Sequence, residues 1–186
     1  GPTGAAGPGM AFTSSMGTGT ATTILGGLVG TAAAMPISGA ELTGVSGVSL
    51  AGGTISVSGN LGLNINLLSQ VQKFPRTGTL SSLQATFANT AAISLGGTTV
   101  TPTATLWKGS LSGGDIVLSP TTLTCAGTPG FKAVVTVGTI LTCSLTGQSL
   151  TVNAGDYGLI VISETASGGI NLVNTTVLGA TVAISE

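Results

Sequence analysis

Apolar and polar positions alternate with a period of two along much of the chain, which is the spacing of strands with one buried face. Ile55 and Val57 alternate with Thr54, Ser56 and Ser58, and Leu61, Leu63, Ile65 and Leu67 alternate with Gly62, Asn64 and Asn66. Leu83, Ala85 and Phe87 mark one face of a further strand. Gly96-Gly97 predicts a turn. In the strand after it, Val100, Ala104 and Leu106 face one way, and Thr101, Thr103, Thr105 and Trp107 the other. Pro102 has no N–H for a ladder, which predicts an edge or a bulge there. Shorter strands are predicted near 11–14 and over 115–118, 121–124, 132–137 and 139–145. A last one runs over 177–184, with Leu178, Ala180, Val182 and Ile184 on one face. No stretch has a helical period. Many short strands at near-regular spacing make an all-β sandwich or barrel.

One stretch breaks the alternation. In DYGLIVISE, residues 156–164, Tyr157, Leu159 and Val161 would face one way and Ile160 and Ile162 the other. A short β-branched run that is apolar on both faces is a strand buried on both sides. A second sheet can cover one face. The other cover is expected to be another copy of the chain, which places Tyr157, Leu159, Ile160, Val161 and Ile162 at an interface between copies. Upstream, 148–152 alternates and the Asn153–Asp156 turn follows, so a hairpin with this strand is predicted.

Composition narrows the function. Charged residues are 5% of the 186, against about 25% in typical soluble proteins, and the net charge is −1. That gives no electrostatic case for nucleic acid or for an anionic membrane. The apolar stretch 20–35 carries three glycines and four threonines and lacks flanking Lys or Arg. It is too short and too weak for a spanning helix, so no membrane insertion is expected. The chain has no histidine. A Ser-His-Asp or Cys-His nucleophile and a His-based metal site are therefore out of reach. No GxSxG, P-loop or dinucleotide fingerprint occurs. Asp115, Asp156 and Glu164 are the carboxylates a glycosidase would draw on, and Asp156 reads better as a turn former. No acidic cluster suits calcium. The expectation is a non-enzyme without cofactor or metal. Trp107 and Tyr157 would serve either as a ligand platform or, more commonly for single aromatics, as packing.

Residues 1–9 read GPT-GAA-GPG, with Gly1, Gly4 and Gly7 at the collagen period. Gly9-Met10 ends that register. Two parts are expected, the end of a collagen-like stalk over 1–10 and a head over 11–186. A collagen stalk requires three chains.

The runs FPRTGTLSSLQATFANTAAISLGGTTVTPTATLWKG, SLTVNAGDYGLIVISETASG and INLVNTTVLGATVAISE resemble the carboxy-terminal domain of BclA-type collagen-like glycoproteins of the spore exosporium. The resemblance covers roughly 74–186 and is joined by the stalk triplets. It implies a TNF-like jelly-roll sandwich assembled as a homotrimer on the outer face of a spore, with other spore-surface proteins reached through the stalk. It carries no active site. It also implies O-linked sugar on stalk threonines, here Thr3. Asn174-Thr175-Thr176 has the N-glycosylation pattern, which a bacterial source makes accidental. A spore exterior is oxidising enough for a disulfide between Cys125 and Cys143, whose separation suits one intervening strand. The alternative is two buried thiols. Two other functions remain open: a head resembling complement-type globular domains that binds a host or surface ligand, and a phage or virus fibre tip.

Overall fold

The computed structural model describes residues 9–170 and 172–186. Among the described residues the strands are, in chain order, β1 (Ala11–Thr22), β2 (Thr31–Met35), β3 (Gly39–Thr43), β4 (Val45–Ser49), β5 (Ile55–Ser58), β6 (Gln72–Lys73), β7 (Gly78–Leu80) and β8 (Ser82–Asn89). They continue with β9 (Ile93–Ser112), β10 (Asp115–Ala126), β11 (Phe131–Val135), β12 (Ile140–Leu145), β13 (Leu150–Val152), β14 (Tyr157–Ser167) and β15 (Thr175–Ser185). Three short 3-10 turns, Leu25–Gly27, Ala51–Gly53 and Ile65–Ser69, are the only helical segments among these residues. No helix there is long and apolar enough to cross a membrane.

Two sheets face each other. One has five strands in the order β12-β8-β15-β1-β3, and the other runs β4-β2-β14-β9-β10-β5, with β11 also on β9 and β6 also on β14. The pairings are antiparallel except β1 with β3. β13 and β7 form a small ribbon. This all-β sandwich is consistent with a jelly roll.

The alternation explains the layering. Leu83, Phe87, Leu178, Val182 and Ile184 of the five-stranded sheet meet Val100, Leu106, Ile160 and Ile162 of the larger one in a shared core. Leu159 and Val161 point the other way, into a second cluster with Trp107, Val48, Ile55, Val57 and Leu67. β14 is thus buried on both faces, as its run of apolar residues requires. Its second cover, however, is the chain itself. Leu67 lies in that cluster, and Leu50 and Val71 pack against it. Leu159, Ile160 and Ile162 are 0% exposed and Val161 1%, while Tyr157 is half-buried beneath Lys73, whose Nζ sits 5.4 Å from the ring centre. Residues 159–162 keep almost no exposed surface for another copy to cover, and of the five residues expected at an interface only Tyr157 retains some.

Other expectations change in detail. The first strand runs to Thr22 rather than stopping near 14. The alternation over 61–67 is not a strand: Gly62 and Asn64 take positive φ (65° and 50°), which bends the chain into a turn and then a 3-10 segment. Leu61, Leu63 and Ile65 are exposed there, and only Leu67 is buried. Gly96-Gly97 is not a turn but part of β9. Between Lys132↔Thr99 and Val134↔Ser94, β9 spends extra residues on a bulge, and Gly96 supplies its positive φ. Pro102 lies on an inner strand rather than an edge. It sits in the gap where the partner of β9 changes from β10, ending at Ala126↔Thr103, to β11, beginning at Phe131↔Val100. The strands expected over 115–118 and 121–124 are one strand, β10, with a register break between Pro120 and Thr124. The Asn153–Asp156 turn forms, with Asp156 N–H donating to Asn153 O at 3.0 Å. It does not close a hairpin, because β13 pairs with β7 and β14 with β9, β2 and β6.

Candidate assembly face

The apolar positions of β1, β8, β12 and β15 point into the core, so the residues between them form the opposite, open face. The register aligns them in rows. Thr142, Thr86, Thr181, Ser15 and Ala40 cross the sheet side by side. Ser144, Gln84, Ala183 and Thr13 form the next row toward the chain ends, and Ile140, Ala88 and Gly179 the row beyond. None of these side chains is charged, and apart from Gln84 and Ile140 all are small. The result is a hydroxyl-rich surface with a groove of about 1060 Å³ along it. Apolar side chains flank it. Val137 and Ile140 are exposed at the β12 margin, and Leu42 is exposed at the β3 margin.

The face has a defined base. β1 begins opposite Ser185, and Glu186 N–H donates to Met10 O at 2.9 Å, so Gly9 and the end of the chain lie together. Phe12 packs edge-on against Phe74, with ring centres 5.8 Å apart. Most of the charge gathers toward this end: Lys73, Lys108 and Asp156 around the start of β14, and Arg76 at 4.0 Å from Glu186. Residues 1–8, with the collagen triplets and Thr3, lie outside the described residues.

The far end is built differently. Segments 23–30 and 172–174 are tied together there: Thr23 N–H donates to Asn174 O (2.9 Å), Thr23 Oγ1 to Leu172 O (2.7 Å), and Asn174 N–H to Thr23 Oγ1 (2.8 Å). Ile24, Leu25, Leu28, Ile170 and Val173 are exposed around these ties. Gly27, at φ 74°, lies against β14 so closely that a Cβ would stand 1.8 Å from Ala166 O.

Two residues from that contact, Glu164 has the same parity as Ile160 and Ile162 and therefore points into the core. It is 1% exposed. Neither carboxyl oxygen makes a hydrogen bond, nor does the buried Thr176 Oγ1. Burial pushes this carboxyl from 4.5 up to about 8, and the nearby Thr176 hydroxyl, outside good hydrogen-bonding geometry, lowers it only in part.

The other singled-out residues take plain positions. Cys125 on β10 and Cys143 on β12 are joined, Cα atoms 5.9 Å apart, and so tie the two sheets together at one margin. Asp156 accepts Asn153 N–H on Oδ2 at 3.0 Å, which makes it a turn former. Along β14 it is roughly 26 Å from Glu164 at 3.3 Å per residue, far beyond a glycosidase pair. Asp115 pairs with Ser112 where β9 turns into β10. Trp107 is 4% exposed and packs in the second cluster, so it offers no platform. Among the described residues no group of three or more His, Cys, Asp or Glu is placed to hold a metal. The open face escaped the sequence reading, although its signal was present in the polar half of each alternation: Thr13/Ser15, Gln84/Thr86 and Thr181/Ala183. No protein-family model, no curated protein and no solved structure matches the chain.

Proposed function

We propose that the chain is a structural head that assembles as a homotrimer, in the manner of a TNF-like jelly roll, and carries a collagen-like stalk. The carrying observation is the uncharged open face of the five-stranded sheet, of which β1 is part. Such a face can be buried without stranding a charge, and small side chains let backbones approach closely. Its margins favour a head-to-tail arrangement, with the Val137–Ile140 edge of one copy against the Leu42 side of the next. A heterologous contact of this kind closes into a ring when the rotation is 120°. With the three-fold axis along the strands, the three Gly9 residues emerge at one end. The heads then hold three stalk segments at high effective concentration, which removes the slow meeting of free ends. A spore-surface setting rests on the resemblance of the 74–186 runs alone, and no catalysis is assigned.

Solution mass and refolding test this. The head is expected at three times 17.8 kDa at micromolar concentration. A chain with many stalk triplets restored is expected to regain collagen-type circular dichroism quickly after heating, while the stalk alone refolds slowly and with steep concentration dependence. A monomeric head, or equal refolding rates, overturns the proposal. A second reading, a head that binds a surface ligand, is favoured by the exposed aliphatic side chains at the end remote from Gly9. Saturable binding of a defined ligand that is lost on Leu25→Ser would support it.

A further inference from the structure

We propose that Glu164 is a proton-operated latch: uncharged, it leaves the far end of the sandwich shut, and ionised, it draws water between the sheets and frees segments 23–30 and 172–174. Three buried polar atoms, Glu164 Oε1, Glu164 Oε2 and Thr176 Oγ1, face an aliphatic core without a hydrogen bond among them. An uncharged carboxyl tolerates that setting, whereas a carboxylate needs several donors or water. The latch acts through the adjacent end of the sandwich. There the 23–30 segment rests on β14 through Gly27 and is held to 172–174 by the three Thr23–Asn174–Leu172 bonds.

Among the described residues no charged group is found to moderate the effect. Of the elements packed on β14 here, β9 places Pro102 opposite Glu164, β15 presents Thr176, and β1, β2 and the 25–27 turn carry no titratable side chain. Lys108 on β9 lies at the other end of the strand, beside Gly158, and Asp115 on β10 lies beyond it. Lys132 on β11 pairs with Thr99 and is exposed.

The latch makes a quantitative statement. In the closed form the carboxyl holds its proton up to about pH 8, and in an opened, solvated form it releases it near 4.5. Opening therefore becomes more favourable by about tenfold for each pH unit between those values and levels off above them. Amide hydrogen exchange on the whole chain, corrected for the intrinsic pH dependence of exchange, reads this directly. The Thr23 and Asn174 amides are expected to lose protection tenfold per unit from about pH 5 to about pH 8, while Glu186 N–H at the base does not follow. In Glu164→Gln the dependence disappears. If that variant fails to fold, carboxyl chemical shifts of the unaltered chain decide. A Glu164 titration near 4.5 overturns the latch, as does equal pH dependence in the unaltered chain and the variant, or loss of protection at both ends together.

Discussion

Glu164 shows how much one residue can weigh in a chain with so few charges. Its folded value near 8 lies above the unfolded value of 4.5. The stability linked to this group is therefore fully present below about pH 4.5 and is lost progressively as pH rises through 8. The difference corresponds to a loss on the order of 4–5 kcal/mol. Glu164→Leu removes the titrating group and keeps an apolar side chain of similar size. Its denaturation midpoint is expected to stay nearly flat over that window and to exceed the parent's at about pH 8, which urea titrations at several pH values would check. The placement of Glu164 was legible from parity, since 160, 162 and 164 share a face. Its isolation was not, because that depends on Thr176, twelve residues along the chain and on the opposite sheet.

Strands were legible wherever period-two alternation coincided with a straight backbone, as in β8 and β15. They were misread where glycine or asparagine with positive φ turned the same alternation into a coil, as over 61–67. The double burial of β14 was read correctly, but the nature of its cover was not. Nothing in the local pattern of 50–71 announces that Leu50, Leu67 and Val71 fold back over Leu159 and Val161. Partners of strands were the hardest to read, since β13 and β14 are consecutive and share a turn yet join different ladders. At this scale the Cys125–Cys143 link is what fastens β10 to β12. Its loop of 18 residues implies about 3 kcal/mol of stabilisation. Reduction is expected to lower the urea midpoint accordingly, and alkylation before reduction should find no free thiol.

For the whole molecule, the testable surface is the open face of the five-stranded sheet. Thr181 stands at its centre and is exposed, so Thr181→Glu should leave the single chain folded. In a trimer it would bury three uncompensated charges, each costing several kcal/mol. Light scattering is expected to show a monomer with an unchanged circular dichroism spectrum. A trimer that survives Thr181→Glu moves the contact elsewhere. Ile160→Asp is no such probe: it places an ion inside the single-chain core and is expected to unfold the head whatever its oligomeric state.

The placement of β1 also decides how the head would bear a pull. The strand is hydrogen-bonded on both sides, to β15 and to β3, and its first residue is at the base beside Glu186. Ladder bonds lie perpendicular to the strand. Tension that enters through Gly9 and is resisted at the far end runs along β1, so both of its ladders are loaded in shear and their bonds must fail together. The same tension applied between Gly9 and Glu186 would peel β1 from β15 one pair at a time. A head gripped at its tip is thus mechanically tough, and one tugged by its two termini comes apart like a zipper.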